Sequence, residues 1–308
     1  MDLFKQAHSR LCGPVVPLKI PYDAEERIDF DNLSAYVDRL CREGAPVLLL
    51  TYGSAEYAFL SDDEIFHVTR AVGEAAQGRT FFIAANNFWP IAKTVEYVEH
   101  ARRCGADAVK VHLHWKFKYS EQGVFDFYKR IANATEDVPL LAYSDFQPGM
   151  PVSVAKRLAE EVPQFIGMKN DSDQMAGQYN YMRKTGPDFE AMSAGTMRSM
   201  LFCHPYGTRS YLCPIAPFQP RLALDFYELV EAGRYNEAKR YVTDYEEPLM
   251  DLVPRFGCHW QVFIRVILHI AGCLDCPRPR LPFSLPPDDR IEWLRREFER
   301  IGFEPMKR

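Results

Sequence analysis

Lys169 closes the run Phe165-Ile166-Gly167-Met168-Lys169, an amine at the end of an otherwise apolar stretch. A lysine taken out of water drops below its solution pKa of about 10.4, which leaves some of it neutral and able to attack a carbonyl carbon. A lysine in this position also has plainer uses: it can emerge into solvent, or pair with Asp171 or Asp173. Tyr143 ends a second run, Pro139-Leu140-Leu141-Ala142-Tyr143. A phenol there can pass a proton to and from the carbinolamine that precedes a Schiff base, or it can simply cap the core with its hydroxyl bonded to a loop. Taken together, on consecutive elements, the two residues point to an amine attacking a ketone with a proton carrier beside it.

Two such residues need a scaffold that brings strand ends together. Short apolar, β-branched runs recur at 14–20, 47–51, 80–85, 108–113, 139–143, 165–169, 190–194 and 209–213. Amphipathic stretches separate them, at 31–42, 62–74, 91–104, 124–134, 152–161 and 174–184. Strand and helix in alternation mean a parallel sheet, and eight repeats predict an α/β fold of the closed (β/α)8 TIM barrel type, where catalytic groups sit at the strand C-termini. The sequence has neither GxGxxG nor GxxxxGK[ST], so a nucleotide cofactor is not expected. A last barrel helix at 221–231 is followed by helical patterns at 235–252, 259–270 and 288–300, with a Pro-rich connection at 277–287. The expected division is a catalytic barrel over 1–232 and a C-terminal helical extension over 233–308.

Composition narrows the partners. Apolar residues make up 47% and charged residues 26% of 308, with a net charge of −5, which suits a globular protein and offers no concentrated basic face for nucleic acid. No span approaches the roughly 20 apolar residues that cross a bilayer, and residues 1–12 lack a signal-peptide pattern, so the expectation is a cytoplasmic protein with no membrane partner. Eight cysteines are too sparse for a disulfide scaffold, and reduced thiols are expected. Cys273-Leu274-Asp275-Cys276, with Cys258, His259 and His269 nearby, lacks the second half of a zinc motif, and His112-x-His114 lacks a carboxylate third ligand. No metal is expected.

In order and spacing, a set of short motifs resembles the dihydrodipicolinate synthase/N-acetylneuraminate lyase family over nearly the whole chain. Pro21-Tyr22-Asp23 with Ile28-Asp29 resembles its opening stretch. Tyr52-Gly53-Ser54-Ala55-Glu56, then Leu60-Ser61 and Glu64, stands where the family has its Thr-Thr-Gly-Glu motif. Tyr143 and Gly149 match its tyrosine loop, and Gly167-Met168-Lys169-Asn170-Asp171 matches the segment with the Schiff-base lysine. Gly195, Gly207 and Arg280-Leu281-Pro282 match later motifs.

The resemblance implies a class I lyase or aldolase. Lys169 would form a Schiff base with pyruvate or another 2-oxo acid, Tyr143 would act as general acid and base, and a carbon–carbon bond to an aldehyde would be made or broken. The iminium is the electron sink, so no metal or organic cofactor is expected. Ser54, with backbone N–H groups beside it at Gly53, would hold the substrate carboxylate. Gly195, Leu212 and Asn86, with Asn87, Thr196 and Cys213, are the further candidates to line the pocket, and Glu56 is expected to be structural.

Departures from the family pattern matter as much. Pro148 stands where the lysine-pathway enzymes have a carboxylate-binding arginine, and Gly53 replaces the first hydroxyl of the Thr-Thr pair. Lys116 falls at the second tyrosine of the proton relay, which Lys116 or Tyr52 would have to replace. The lysine-pathway reaction itself is therefore not expected. Phe88, Trp89, Trp115, Phe146 and Phe218 add aromatic bulk near loop positions, pointing either to an apolar acceptor or to plugs and subunit contacts. Two other readings stay open: a dehydratase of a deoxy-keto sugar acid using the same Schiff base, and a non-catalytic 2-oxo-acid-binding homologue. The resemblance also implies a homo-oligomer, a tetramer or dimer.

Overall fold

Each of the eight apolar runs forms a strand, and the strands close into a parallel barrel in chain order. The computed structural model describes residues 2–113, 117–144, 149–171, 175–193 and 195–306. The strands are β1 (Gly13–Pro17), β2 (Val47–Leu49), β3 (Phe81–Ala85), β4 (Ala108–Lys110), β5 (Leu140–Ser144), β6 (Phe165–Asn170), β7 (Glu190–Ser193) and β8 (Ser210–Leu212). Several end earlier than their apolar runs. Only single bonds carry the ladder further, as from Leu18 N–H to Leu49 O at 2.9 Å and from Val111 N–H to Leu141 O at 2.8 Å. The residues beyond stay apolar because the loops they enter are themselves buried.

Side-chain alternation gives the barrel two faces. Val15, Val47, Leu49, Ile83, Ala108, Leu141 and Met192 fill the interior as one apolar cluster, while neighbours of the other parity pack on the helices outside. Helices α2 (Phe30–Arg42), α3 (Asp62–Ala76), α4 (Ile91–Arg103), α5 (Glu121–Ala134), α6 (Val152–Glu161), α7 (Met175–Thr185), α8 (Met197–Cys203) and α9 (Pro220–Glu231) form the outer ring. Their starts follow local chemistry. Asp29, Ser61, Ser120 and Thr196 cap α2, α3, α5 and α8, and at α3 Ser61 and Glu64 complete a reciprocal capping box.

Two elements are additional to the sequence reading. One is α8, seven residues long and capped by Thr196. The other is α1 (Leu3–Arg10), which lies across the N-terminal end of the barrel and packs Phe4, Ala7 and Leu11 into the interior cluster. Arg209 holds it there through a bond to His8 O at 2.8 Å. After α9 the chain continues through α10 (Tyr235–Tyr241), a π-helical turn at Val242–Glu246, α11 (Glu247–Phe256), α12 (Trp260–Ile270) and α13 (Asp288–Ile301). The single helix expected over 235–252 is thus interrupted by the wider turn. Pro248, just beyond it, has no N–H to give to the preceding turn. Among the described residues no helix is long and apolar enough to cross a membrane, and all eight cysteines are free thiols.

One irregularity sets up the site. Leu140 pairs with Phe165 but Leu141 pairs with Gly167, so β6 carries an extra residue at Ile166. Such a bulge re-aims the strand beyond it. Gly167 is required there, because a Cβ would sit 2.4 Å from Glu190 O on β7. Beyond the bulge the register is regular, with Tyr143 directly opposite Lys169.

Candidate active site

Leu141 points into the barrel, so Tyr143, two residues further, does as well, and Lys169 follows from its pairing. Lys169 is only 4% exposed. Its Nζ lies 5.7 Å from the centre of the Tyr143 ring and is ion-paired to the Asp171 carboxylate, whose charge the nearby Tyr143 phenol also helps to hold. One carboxylate therefore feels both residues that the sequence singles out. Burial pushes the Asp171 carboxyl up, but the ammonium groups of Lys169 and Lys110 outweigh it and hold the group below the usual carboxylate range.

Lys110 is a second amine in the same space. It ends β4 at 1% exposure, bonds Thr51 Oγ1 and places its Nζ 4.7 Å from the centre of the Tyr143 ring. The sequence reading passed over it, although a lysine of interior parity inside an apolar run (Ala108, Lys110) is the same signal that drew attention to Lys169. His112, one step up the same face, is buried. Burial first, then the Lys110 and Lys169 cations, push its imidazole well below its ordinary pKa and keep it neutral. Its Nδ1 lies 2.5 Å from Asn86 O, so that nitrogen carries the hydrogen. The ring meets Tyr143 edge-on at 4.8 Å, and Phe88 and Tyr52 continue the aromatic wall.

The remaining predicted residues fall into separate groups. Asn86 is fully buried and its side chain serves the fold: Oδ1 accepts from His112 N–H at 2.6 Å and Nδ2 donates to Thr94 Oγ1 at 3.1 Å. Asn87 caps the next turn through Phe88 N–H at 2.8 Å. Gly53 and Ser54 sit in the turn after β2, where Thr51, Tyr52 and Gly53 carbonyls accept from Ala55, Tyr57 and Glu56. That turn leaves the N–H groups of Gly53 and Ser54 without a protein acceptor among the described residues. Gly195 follows β7 at φ +103°, a conformation that favours glycine, and Thr196 caps α8. Leu212 ends β8 against the interior cluster, and Cys213 is buried behind it with its thiol pushed up to about 12 by desolvation.

Of the two readings offered for the loop aromatics, two residues take the packing one. Trp89 turns outward to α3, packing on Phe66 and donating to Asp62 at 2.8 Å, and Phe218 is buried against Phe298 and Phe303 of the C-terminal segment. Each carries too much apolar surface to stand in a loop when a helix face lies beside it. Lys116, Trp115, His114, Phe146, Pro148 and Asp173 lie outside the described residues.

Beneath the Gly53–Ser54 turn lies a buried ionic cluster. Glu56, in the left-handed conformation at φ 55°, bonds Lys19 Nζ at 3.1 Å and Arg265 Nη2 at 2.6 Å. Gln261 also bonds Lys19, and Arg265 donates to Ile20 O at 3.0 Å. Burial pulls the Lys19 amine down to about 8 despite Glu56, and the two cations hold Glu56 below its ordinary value against its own burial. Glu56 is thereby structural: it fastens the turn to the segment that follows β1 and to α12.

Residues 10–294 match the model of the dihydrodipicolinate synthetase family. A probable 5-dehydro-4-deoxyglucarate dehydratase of Xanthobacter autotrophicus is 26% identical over 232 residues, covering 74% of this chain and 76% of its own. A DapA-like lyase of Pyrobaculum islandicum, uncharacterized, is 24% identical over 303 residues, 95% of this chain and 97% of its own. Among solved structures, YagE of Escherichia coli, a member of the dihydrodipicolinic acid synthase family crystallised with pyruvate, superposes with a TM-score of 0.82. At 19% identity over 94% of this chain and 98% of that one, the likeness is one of fold.

Proposed function

The chain belongs to the dihydrodipicolinate synthetase family and is a lyase, and from that premise we propose that Lys169 condenses with the ketone of a 2-oxo acid while Tyr143 carries protons at the same centre. The observation that supports this best is a buried amine directly opposite a phenol on the adjacent strand, inside the barrel at the C-terminal strand ends. The family contributes the reaction class, and the geometry contributes the two groups it needs.

In this reading the neutral Lys169 amine attacks the ketone carbon, and loss of water gives an iminium. The iminium draws electrons from the neighbouring carbon, so that a proton or a carbon–carbon bond can be lost there, and the enamine left by proton loss can expel a hydroxyl from the next carbon out. Tyr143 handles the proton in each case. The N–H groups of Gly53 and Ser54 point to the seat of the substrate carboxylate. The chemistry calls for no metal or organic cofactor. With an aldehyde as partner the enzyme is an aldolase. Expulsion of a hydroxyl is the second reading, favoured by the relative named as a deoxyglucarate dehydratase.

The test is borohydride reduction in the presence of pyruvate, then of other 2-oxo acids, with mass spectrometry of the Lys169 peptide. A stable adduct at Lys169, absent from Lys169→Met, is the expected result. Tyr143→Phe should still form the adduct while losing roughly 10²–10⁴-fold in turnover. Reduction that labels no residue, or labels a different lysine, would end the assignment. Labelling of Lys169 without turnover of any aldehyde or sugar acid would make the protein a binder.

A further inference from the structure

We propose that Asp171 is a catalytic residue of Schiff-base formation, taking protons from the Lys169 nitrogen and delivering them through Tyr143 to the departing oxygen. The inference rests on the reading of Lys169 as nucleophile. It deepens that reading by naming the acceptor that frees the amine.

Three observations meet in one carboxylate. Asp171 stands two residues beyond Lys169 and is fixed by a bond from its own N–H to Ser144 O at 2.9 Å, which continues the β5–β6 pairing past its last residues. Its side chain pairs with the Lys169 amine, and the Tyr143 phenol, directly across the β5–β6 pairing from Lys169, lies near enough to help hold its charge. Lys110, 4.7 Å from the Tyr143 ring, supplies the positive charge that helps keep the carboxylate ionised in a buried place. An ionised Asp171 is an acceptor whose proton source is already in contact.

The protons balance through this pair. Lys169 starts as an ammonium with three protons on nitrogen and ends as an iminium with one. The first proton passes to Asp171, and the neutral amine adds to the ketone carbon. The alkoxide that forms takes a proton from Tyr143, which is refilled from Asp171. The nitrogen of the carbinolamine, still carrying two protons and a positive charge, gives the second to Asp171. The same route puts it on the hydroxyl, the carbon–oxygen bond breaks, and water leaves as the nitrogen lone pair closes the C=N bond. Asp171 finishes as a carboxylate beside a cationic iminium, ready for the next cycle. Each transfer onto Asp171 also removes charge from the nitrogen whose field opposed protonation, so acceptor and donor change in step.

The experiment follows the rate at which pyruvate on the full-length protein becomes trappable by borohydride, sampled by rapid quench, for the parent, Asp171→Asn, Asp171→Ala and Asp171→Glu. Trapping by the Asn and Ala proteins should slow roughly 10²–10³-fold while the final extent of labelling is kept. Asp171→Glu should recover most of the rate, and added formate should accelerate Asp171→Ala but not the parent. Parent-like rates in Asp171→Asn overturn the proposal. So does a slow Asp171→Ala that formate leaves unchanged, since an ion pair that merely positions Lys169 would give that result. A parent protein that no 2-oxo acid labels is a distinct outcome: it removes the nucleophile reading, and with it the role of Asp171.

Discussion

Replacing Glu56 by Gln keeps the shape of the side chain and withdraws the carboxylate bonded to two buried cations, Lys19 and Arg265. The two respond differently. Lys19, already drawn down to about 8, sheds its proton at neutral pH once its partner is gone, which limits its share of the loss. Arg265 has no such escape: its guanidinium is fully buried and stays charged. Removing one partner of a buried pair costs about 3–5 kcal/mol, and here most of it should fall on Arg265. At the unfolding entropy typical of a chain this long, that is a fall of about 5–8 °C in Tm. Calorimetry or circular dichroism at pH 7 on Glu56→Gln reads the drop. Adding Arg265→Met to that variant should restore more of it than adding Lys19→Met. A Tm within about 1 °C of the parent, or recovery through Lys19→Met alone, would show that the cluster is not the buried charge balance described above.

Lys110→Met removes one of the two cations holding Asp171 below the usual carboxylate range, so the acid limb of the pyruvate-trapping rate should move to higher pH; an unmoved limb would show that the two groups do not share a field. Glu246, buried under the N–H groups of Met197 and Arg198, is pushed up to about 7 by desolvation. The folded protein therefore holds a proton there that the unfolded chain releases near 4.5. Stability from this group is full below about pH 4.5 and should be lost, by roughly 3 kcal/mol, as the pH rises through 7. Denaturant titrations at several pH values should show that slope in the parent and its absence in Glu246→Gln, and equal slopes would contradict the burial of an ionisable carboxylate.

The parts of the site legible from sequence were those announced by a break in a pattern. Lys169 and Tyr143 each end an apolar run, and strand parity with barrel closure brings them face to face. Lys110 sits within such a run and carries no mark of its role there, because its polar end finds Thr51, in the turn after β2, only in the folded barrel. The bulge at Ile166, which sets the Tyr143–Lys169 register, leaves only a glycine as its trace. Asn86 looks like a polar pocket residue until its partners are known: His112 and Thr94 use both ends of its amide. The Lys19, Glu56 and Arg265 cluster joins residues up to 246 positions apart, beyond any local periodicity, although a single arginine in the apolar helix α12 was a visible anomaly. Trp89 and Phe218 sit beside loops in sequence but against helices in space, and apolar area decides between the two.

With Phe4 and Ala7 of α1, and Leu11 just after it, filling one end of the cylinder, the proposed chemistry is approached from the opposite rim. On the proposed chemistry, a molecule joined to the amine takes the deepest berth, and whatever reacts with it arrives afterwards and departs first. Steady-state patterns should accordingly be those of an ordered queue, with the oxo acid first aboard and last to disembark.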